Sequence, residues 1–206
     1  MRKLSYFIQE SWLLITCSFC FGLLIAVTNA ALAPKIEQNK TDKLNALTKN
    51  LLPTAKHFAA VDGDIEIELS GGKKEKVRVY KATSETKQCV GWSFNTGGEG
   101  FAGKIELIVA VEPNFDKIAG FDVLVSSETP GFGDRIKTSS FRSQFAGAPA
   151  DTLNLVKTGD RAAIDSEIIA ITGATISSQA VVNIFNNYLP RIKVQMAQKG
   201  LITDGK

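Results

Sequence analysis

The chain has 206 residues, 44% of them hydrophobic and 22% charged, with 24 basic against 21 acidic side chains. That balance is too apolar for a disordered chain, and the length allows one ordinary domain plus an appendage. The charges alternate in sign without a basic stripe, which sets nucleic acid aside as a partner.

Residues 1–10 read as a short cytoplasmic tail carrying Arg2 and Lys3. Residues 11–33 hold no charge, and about 20 such residues cross a bilayer as a helix. An uncleaved transmembrane anchor is expected here, because the apolar run exceeds the roughly 7–15 residues of a signal peptide; cleavage near the small residues Thr28–Ala31 is the competing reading. Basic residues flank the segment on both sides, so charge does not fix its orientation. Long domains translocate largely regardless of charge, which favours a single pass through the inner membrane with the remaining chain on the outer, periplasmic side. Cys17 and Cys20 sit inside this span as a C-x-x-C, either a redox or metal pair or two small apolar helix residues. With only Cys89 elsewhere, no disulfide framework or zinc-finger spacing exists. The single histidine, His57, excludes every scheme that needs two and reads as a surface or stalk residue.

Residues 34–55 are expected to continue the anchor as a stalk helix, with Leu44, Leu47 and Leu51 at helical spacing and Pro53 as its stop. Residues 56–206 form one α+β domain. There the hydrophobic period changes to two. Ile65–Leu69 is a strand before a turn at Gly71–Gly72, Val77–Tyr80 a second, Cys89–Phe94 a third, and Lys104–Glu112 and Lys117–Glu128 two more. Five strands in meander order imply a mostly antiparallel sheet with flanking helices. Thr138–Phe145 reads as a helix capped by Thr138 or Ser139, and weaker strands are expected at Leu153–Val156 and Ile168–Ile171. The last helix should run from Ser177 or Ser178 to Gln198. Its apolar stripe is Val181, Ile184, Phe185, Tyr188, Leu189 and Ile192, and Pro190 should kink it.

Two segments differ from structural filler. Ser127–Asp134 holds Glu128, Thr129, Pro130 and Gly131, then Phe132 and Gly133. Its glycines let the main chain approach a flat ligand, although a plain hairpin loop has the same composition. Thr172-Gly173-Ala174-Thr175-Ile176-Ser177-Ser178 opens the last helix, where free N–H groups and the helix dipole favour an anion such as phosphate. The same residues also suit a purely structural N-cap. No P-loop lysine and no three-glycine dinucleotide fingerprint is present, so neither ATP nor NAD is indicated.

Three ordered motifs, Gly100-Phe101-Ala102-Gly103-Lys104-Ile105, Glu128–Gly133 and Thr172–Thr175, together with the apolar N-terminal segment, carry a resemblance across nearly the whole chain. The sequence resembles the FMN-binding domain family that includes the G subunit of the Rnf electron-transport complex, and is similar to the C subunit of the sodium-pumping NADH:quinone reductase. The resemblance implies an electron-relaying flavoprotein subunit of an ion-translocating ferredoxin:NAD⁺ oxidoreductase, with no acid–base catalytic residue of its own. It implies FMN covalently attached to Thr175 through a phosphoester, installed from FAD by a separate flavin transferase. Its partners would be membrane lipid and the other subunits of the complex. Thr172, Gly173, Ala174, Ser177 and Ser178 would surround the phosphate, with the two serines donating hydrogen bonds to it. Glu128, Thr129, Pro130 and Gly131 would lie near the isoalloxazine ring, with Phe132 or Trp92 over one face. The family's usual aspartate six residues before the modified threonine is here Ile169, which puts recognition by the transferase in question. A non-redox, membrane-tethered binding module with TGAT as a cap is the alternative.

Overall fold

The computed structural model describes residues 2–61, 63–69, 72 and 74–202. The side chains of residues 1–10, 37, 38 and 40–45 are outside that description, as is the expected turn residue Gly71. The chain divides into two compact units, Met1–Lys43 and Leu44–Lys206.

The first unit is helical throughout its described residues, part of helix α1 (Arg2–Leu51), which has Pro34 inside it and whose last eight residues belong to the second unit. Its segment Ser11–Ile36 has a mean hydropathy of 2.0 and none of its surface is buried by protein. At 1.5 Å per residue those 26 residues measure about 39 Å, against about 30 Å of bilayer hydrocarbon. Trp12, Leu14, Phe19, Phe21, Leu24 and Ile25 are all exposed, so the apolar surface runs round the helix rather than along one stripe. The Thr16 and Thr28 hydroxyls donate back to the carbonyls of Trp12 and Leu24, which satisfies them without water. Cys17 and Cys20 are exposed on the same helix.

The second unit is built on an antiparallel sheet of five strands: β1 (His57–Ala60), β4 (Val79–Thr83), β5 (Cys89–Glu99), β6 (Lys104–Val111) and β7 (Ile118–Ser126), in that spatial order. Between β1 and β4 the chain makes a separate hairpin of β2 (Ile65–Glu68) and β3 (Lys74–Val77). The architecture is the expected α+β one, but its strands differ from the sequence reading in three places. Ile65–Leu69 does not join the main sheet; His57–Ala60 takes the edge instead, and only Phe58 of that strand is even half-buried, so no alternation marks it. The Val77–Tyr80 run is two strands, parted at Arg78, which reaches back to Asp64 at 3.3 Å. Strand β5 continues five residues past Phe94 through glycines that read as loop. Gly98 is bare because Ile184 presses against it: a Cβ there would lie 2.8 Å from the isoleucine Cγ1.

After β7 come a 3₁₀ turn (Gly133–Lys137), a one-turn helix α2 (Ser139–Arg142) and a second 3₁₀ turn (Ser143–Phe145) in place of one regular helix. Thr138 stands at the cap position, but its hydroxyl donates to the Arg135 carbonyl and caps nothing. The short parallel pair β8 (Asn154–Val156) and β9 (Glu167–Ile169) is held by side-chain amides that imitate strand partners. Asn186 exchanges two hydrogen bonds with Leu153, and Gln144 does the same with Ile169. The last helix, α3, runs from Thr175 to Gln198 with Pro190 inside it.

The expected stripe of α3 (Val181, Ile184, Phe185, Tyr188, Leu189, Ile192) is buried, with Met196 added to it. It packs with Phe94, Ile105, Leu107, Val109 and Phe121 of the sheet. Phe121, Phe145 and Phe185 meet at centroid separations of 4.8–5.4 Å and fix the corner where the 3₁₀ turns cross the sheet. A smaller cluster gathers Leu51, Leu52, Ala55 and Phe58 with Ala82, Ala110 and Ala119.

Candidate functional site

Three segments far apart in sequence meet at one end of the sheet. The first is the tight turn that joins β5 to β6, closed by the Gly100 amide donating to the Gly103 carbonyl at 2.8 Å. The second is the loop leaving β7, from Ser127 to Gly133. The third is the turn between β9 and α3, whose Gly173 takes a positive φ of 81°. They enclose a cavity of about 380 Å³ lined by Phe101, Thr129, Phe132, Gly133, Gly173, Ala174, Thr175, Ile176 and Ser177.

Glu128 joins the segments. It is only 6% exposed, and its carboxylate accepts hydrogen bonds from the other two segments. Oε1 takes the amides of Phe101 (2.7 Å) and Ala102 (3.1 Å), and Oε2 takes the Ser177 hydroxyl (2.6 Å). Gly100 and Gly133 lie against the same carboxylate, and a Cβ on either would overlap it. Ser178, fully buried, ties the third segment to itself. Its hydroxyl donates to the Ala174 carbonyl at 2.9 Å and accepts from the Ile171 amide at 3.0 Å. Both serine protons are therefore committed inside the protein, and neither is directed into the cavity as a phosphate donor.

What the cavity offers an anion is main chain. Helix α3 starts at Thr175, two residues earlier than the serines suggested, behind Ala174, which makes no side-chain cap. The amides of Thr175, Ile176 and Ser177 thus lack intrahelical acceptors, and no acidic residue occupies the first turn. Arg135 lies beside this end, donating to the Thr172 carbonyl at 3.3 Å, and it has no carboxylate partner among the described residues. The Thr175 side chain is exposed, and its hydroxyl has no hydrogen-bond partner among the described residues. The other character of the site is apolar: Phe101, Phe132 and Ile176 stand 66%, 62% and 60% exposed around the opening.

Of the residues expected at the site, Thr129, Gly173, Ala174, Thr175 and Ser177 line the cavity. Glu128 and Ser178 stand behind it as its fastenings. Thr172, Pro130 and Gly131 are exposed beyond the lining. Of the two aromatic candidates, Phe132 is at the opening. Trp92 is in the core, its ring nitrogen donating to the Pro113 carbonyl at 2.9 Å. Phe101, Ile176 and Arg135 enter the site unanticipated. Phe101 lay within a motif quoted for the resemblance, whereas Arg135 had no sequence signal beyond following that loop. Ile169, where the resemblance leads one to expect an aspartate, is packed with apolar atoms, its Cδ1 3.3 Å from where a Gly159 Cβ would be. No metal-binding cluster of His, Cys, Asp or Glu occurs among the described residues.

These features define a ligand-binding α+β domain with an apolar cavity at a helix N-terminus, and a family model agrees: the FMN-binding domain matches residues 100–190, which include all three segments. The chain is 30% identical over 182 residues to the G subunit of the ion-translocating oxidoreductase complex of Methanosarcina acetivorans, covering 88% of this chain and 92% of that one. It is 34% identical over 169 residues to the G subunit of the proton-translocating ferredoxin:NAD(+) oxidoreductase complex of Clostridium ljungdahlii, covering 82% of each. In fold it is similar to the crystal structure of Shewanella oneidensis NqrC, with a TM-score of 0.57 over 72% of each chain at 24% identity. The chain belongs to the family of G subunits of ion-translocating oxidoreductase complexes.

Proposed function

We propose that this protein is the membrane-anchored electron-relay subunit of an Rnf-type ferredoxin:NAD⁺ oxidoreductase coupled to ion translocation, carrying FMN as a phosphoester on Thr175. The observation that supports it best is the Thr175 hydroxyl, exposed and unpartnered among the described residues on the wall of a cavity that is apolar on one side and rich in free amides on the other. The residues present fit the cofactor. About 380 Å³ lies at the lower end of ligand cavities, enough to take part of a flavin while the rest lies along Phe101, Phe132 and Ile176. Bound flavin supplies electron transfer that amino acids lack.

The chain's own work is attachment, orientation and exclusion of water. The Thr175 hydroxyl would carry the flavin phosphate as an ester, the flavin transferase taking the FMN moiety from FAD with AMP as the leaving group. The amides of the first α3 turn would face the phosphodiester charge, with the Arg135 guanidinium beside the same turn. Phe101 and Phe132 would provide flat apolar surface for the ring, and Thr129 also stands on the cavity wall. The buried carboxylate of Glu128 is engaged by three hydrogen bonds within the protein.

Ser11–Ile36 of α1 serves as a single-pass anchor in membrane lipid, with residues 2–10 on the cytoplasmic side and the flavin domain on the outer side. Neighbouring subunits of the complex donate and accept the electrons.

The test is flavin fluorescence on a denaturing gel of the full chain co-produced with a flavin transferase, compared with T175V. A fluorescent wild-type band that disappears in T175V is the expected result. A dark wild-type band, with the transferase active on a control substrate, would overturn covalent attachment.

A further inference from the structure

We infer that Glu128 is the positioning residue of the flavin site: by gripping the 100–103 turn and the first turn of α3 at once, its carboxylate sets the spacing between the Phe101 wall and the Thr175 attachment point. The inference rests on the flavin reading above and deepens it.

A buried carboxylate is an expensive way to hold three segments together. Glu128 is 6% exposed and has no cationic partner among the described residues, so its charge is compensated only by two amides, one hydroxyl and the positive end of α3. Well-packed apolar side chains would bind the segments at least as firmly. What an apolar contact lacks is register. Hydrogen bonds of 2.6–3.1 Å with directional donors fix where each segment stops relative to the others. The donors are placed accordingly. Phe101 gives its amide to Glu128 while its ring stands exposed at the cavity mouth. Ser177 gives its hydroxyl from two residues beyond Thr175, on the same helical turn.

The glycines of two motifs belong to the same device. At neither Gly100 nor Gly133 is φ positive, so close approach rather than backbone conformation asks for glycine there. A methyl group at either position would run into the Glu128 carboxylate, at Gly100 also into the Gly103 carbonyl and Ile105 Cδ1 (both 2.8 Å) and at Gly133 also into the Ser177 hydroxyl (2.6 Å), and would disturb the carboxylate's hold on its donors. Three substitutions on two separate loops should therefore share one phenotype.

The experiment uses the full chain in detergent, incubated with flavin transferase and FAD, and reads three quantities: the rate of covalent flavin attachment, the fluorescence anisotropy of attached flavin, and the melting temperature. E128A, G100A and G133A are each expected to slow attachment at least tenfold and to lower anisotropy. E128Q retains an acceptor for both amides and a polar group facing Ser177, and should recover most of the loss. E128D, one methylene shorter, should not. V181A, a truncation of a fully buried residue of the same helix away from the cavity, provides a destabilised control and should attach flavin at the wild-type rate. Wild-type rates and anisotropy in E128A would overturn the inference. So would a slowing in V181A as large as in E128A at equal loss of melting temperature, since Glu128 would then be structural only. Should E128A not fold, S177A removes just one of the three bonds and is expected to slow attachment by a smaller factor; a wild-type rate there would equally overturn the inference. Absence of flavin from the wild-type chain is a different result and counts against the attachment reading alone.

Discussion

Replacing Ser178 by alanine tests whether the turn that carries Thr175 is fastened as described. The Ser178 hydroxyl is fully buried, accepting from the Ile171 amide at 3.0 Å and donating to the Ala174 carbonyl at 2.9 Å. The Ala174 carbonyl keeps a partner without it, because the Ser178 amide also donates there at 2.9 Å. The Ile171 amide does not, and a buried donor left unmade costs about 1–3 kcal/mol. Alanine returns a few tenths of a kcal/mol through its helix propensity, so about 1–2.5 kcal/mol of net destabilisation is expected. For a domain of this size that lowers the melting temperature by about 2–10 °C. Differential scanning calorimetry of the full chain in detergent measures it, with T172V, whose side chain is exposed, as the control within about 0.5 kcal/mol of wild type. The turn between Ile171 and Thr175 loses its upstream fastening in the same variant, so flavin attachment should slow as well. An S178A protein melting within about 1 °C of wild type would refute the pairing of Ser178 with Ile171 as the support of this turn.

Other substitutions probe separate parts of the argument. G98A forces a Cβ to 2.8 Å from Ile184 Cγ1 and should cost about 1–3 kcal/mol, relieved in part by a second change of Ile184 to alanine, which removes that carbon; a double-mutant cycle by urea unfolding reads the coupling. I169D restores the family's aspartate, yet here it places a carboxylate among Gly159, Val156 and the Gln144 clamp. It should therefore destabilise the domain by about 3 kcal/mol or more, read by the same unfolding assay, rather than speed attachment. R135A should leave stability within about 0.5 kcal/mol while lowering the rate of flavin attachment, and a rate equal to wild type would remove Arg135 from the phosphate end of the site. Alanine at both Phe101 and Phe132 should raise quenching of attached flavin by iodide, with little change in the melting temperature, because both rings are exposed.

Much of the fold was legible where one physical rule dominated a segment. The uncharged run of α1, the apolar β runs of Lys104–Val111 and Ile118–Ser126 and the stripe of α3 are continuous local signals, and each element was found where that signal placed it. The misreadings share another origin. His57–Ala60 is a strand because Val79–Thr83 offers it a ladder, not because of its own exposed residues. Gly97 and Gly98 look like a loop until Ile184 and β6 are seen to need the space. Ser177 and Ser178 look like caps, although their hydroxyls are spent on Glu128 and Ile171. The deciding partner is most often distant in sequence, 49 residues in the case of Ser177 and Glu128 against seven for Ser178 and Ile171.

The same distance explains which parts of the site could be read in advance. The turn before α3 was legible because the signals at a helix N-terminus are local, namely small residues, hydroxyls and the start of an apolar period, whereas Thr175 itself was singled out by the resemblance. Glu128 was legible as a member of a motif but not in its action. It was expected beside the ring, and it stands behind the wall instead, where it holds Phe101 and α3 together. An electron carrier has reason to be built this way. Its rate depends on how closely and rigidly the cofactor is held, not on a proton donor, so the strongest polar interactions are best used on the scaffold. The surface of the cavity can then remain apolar side chains and backbone amides, as it is here.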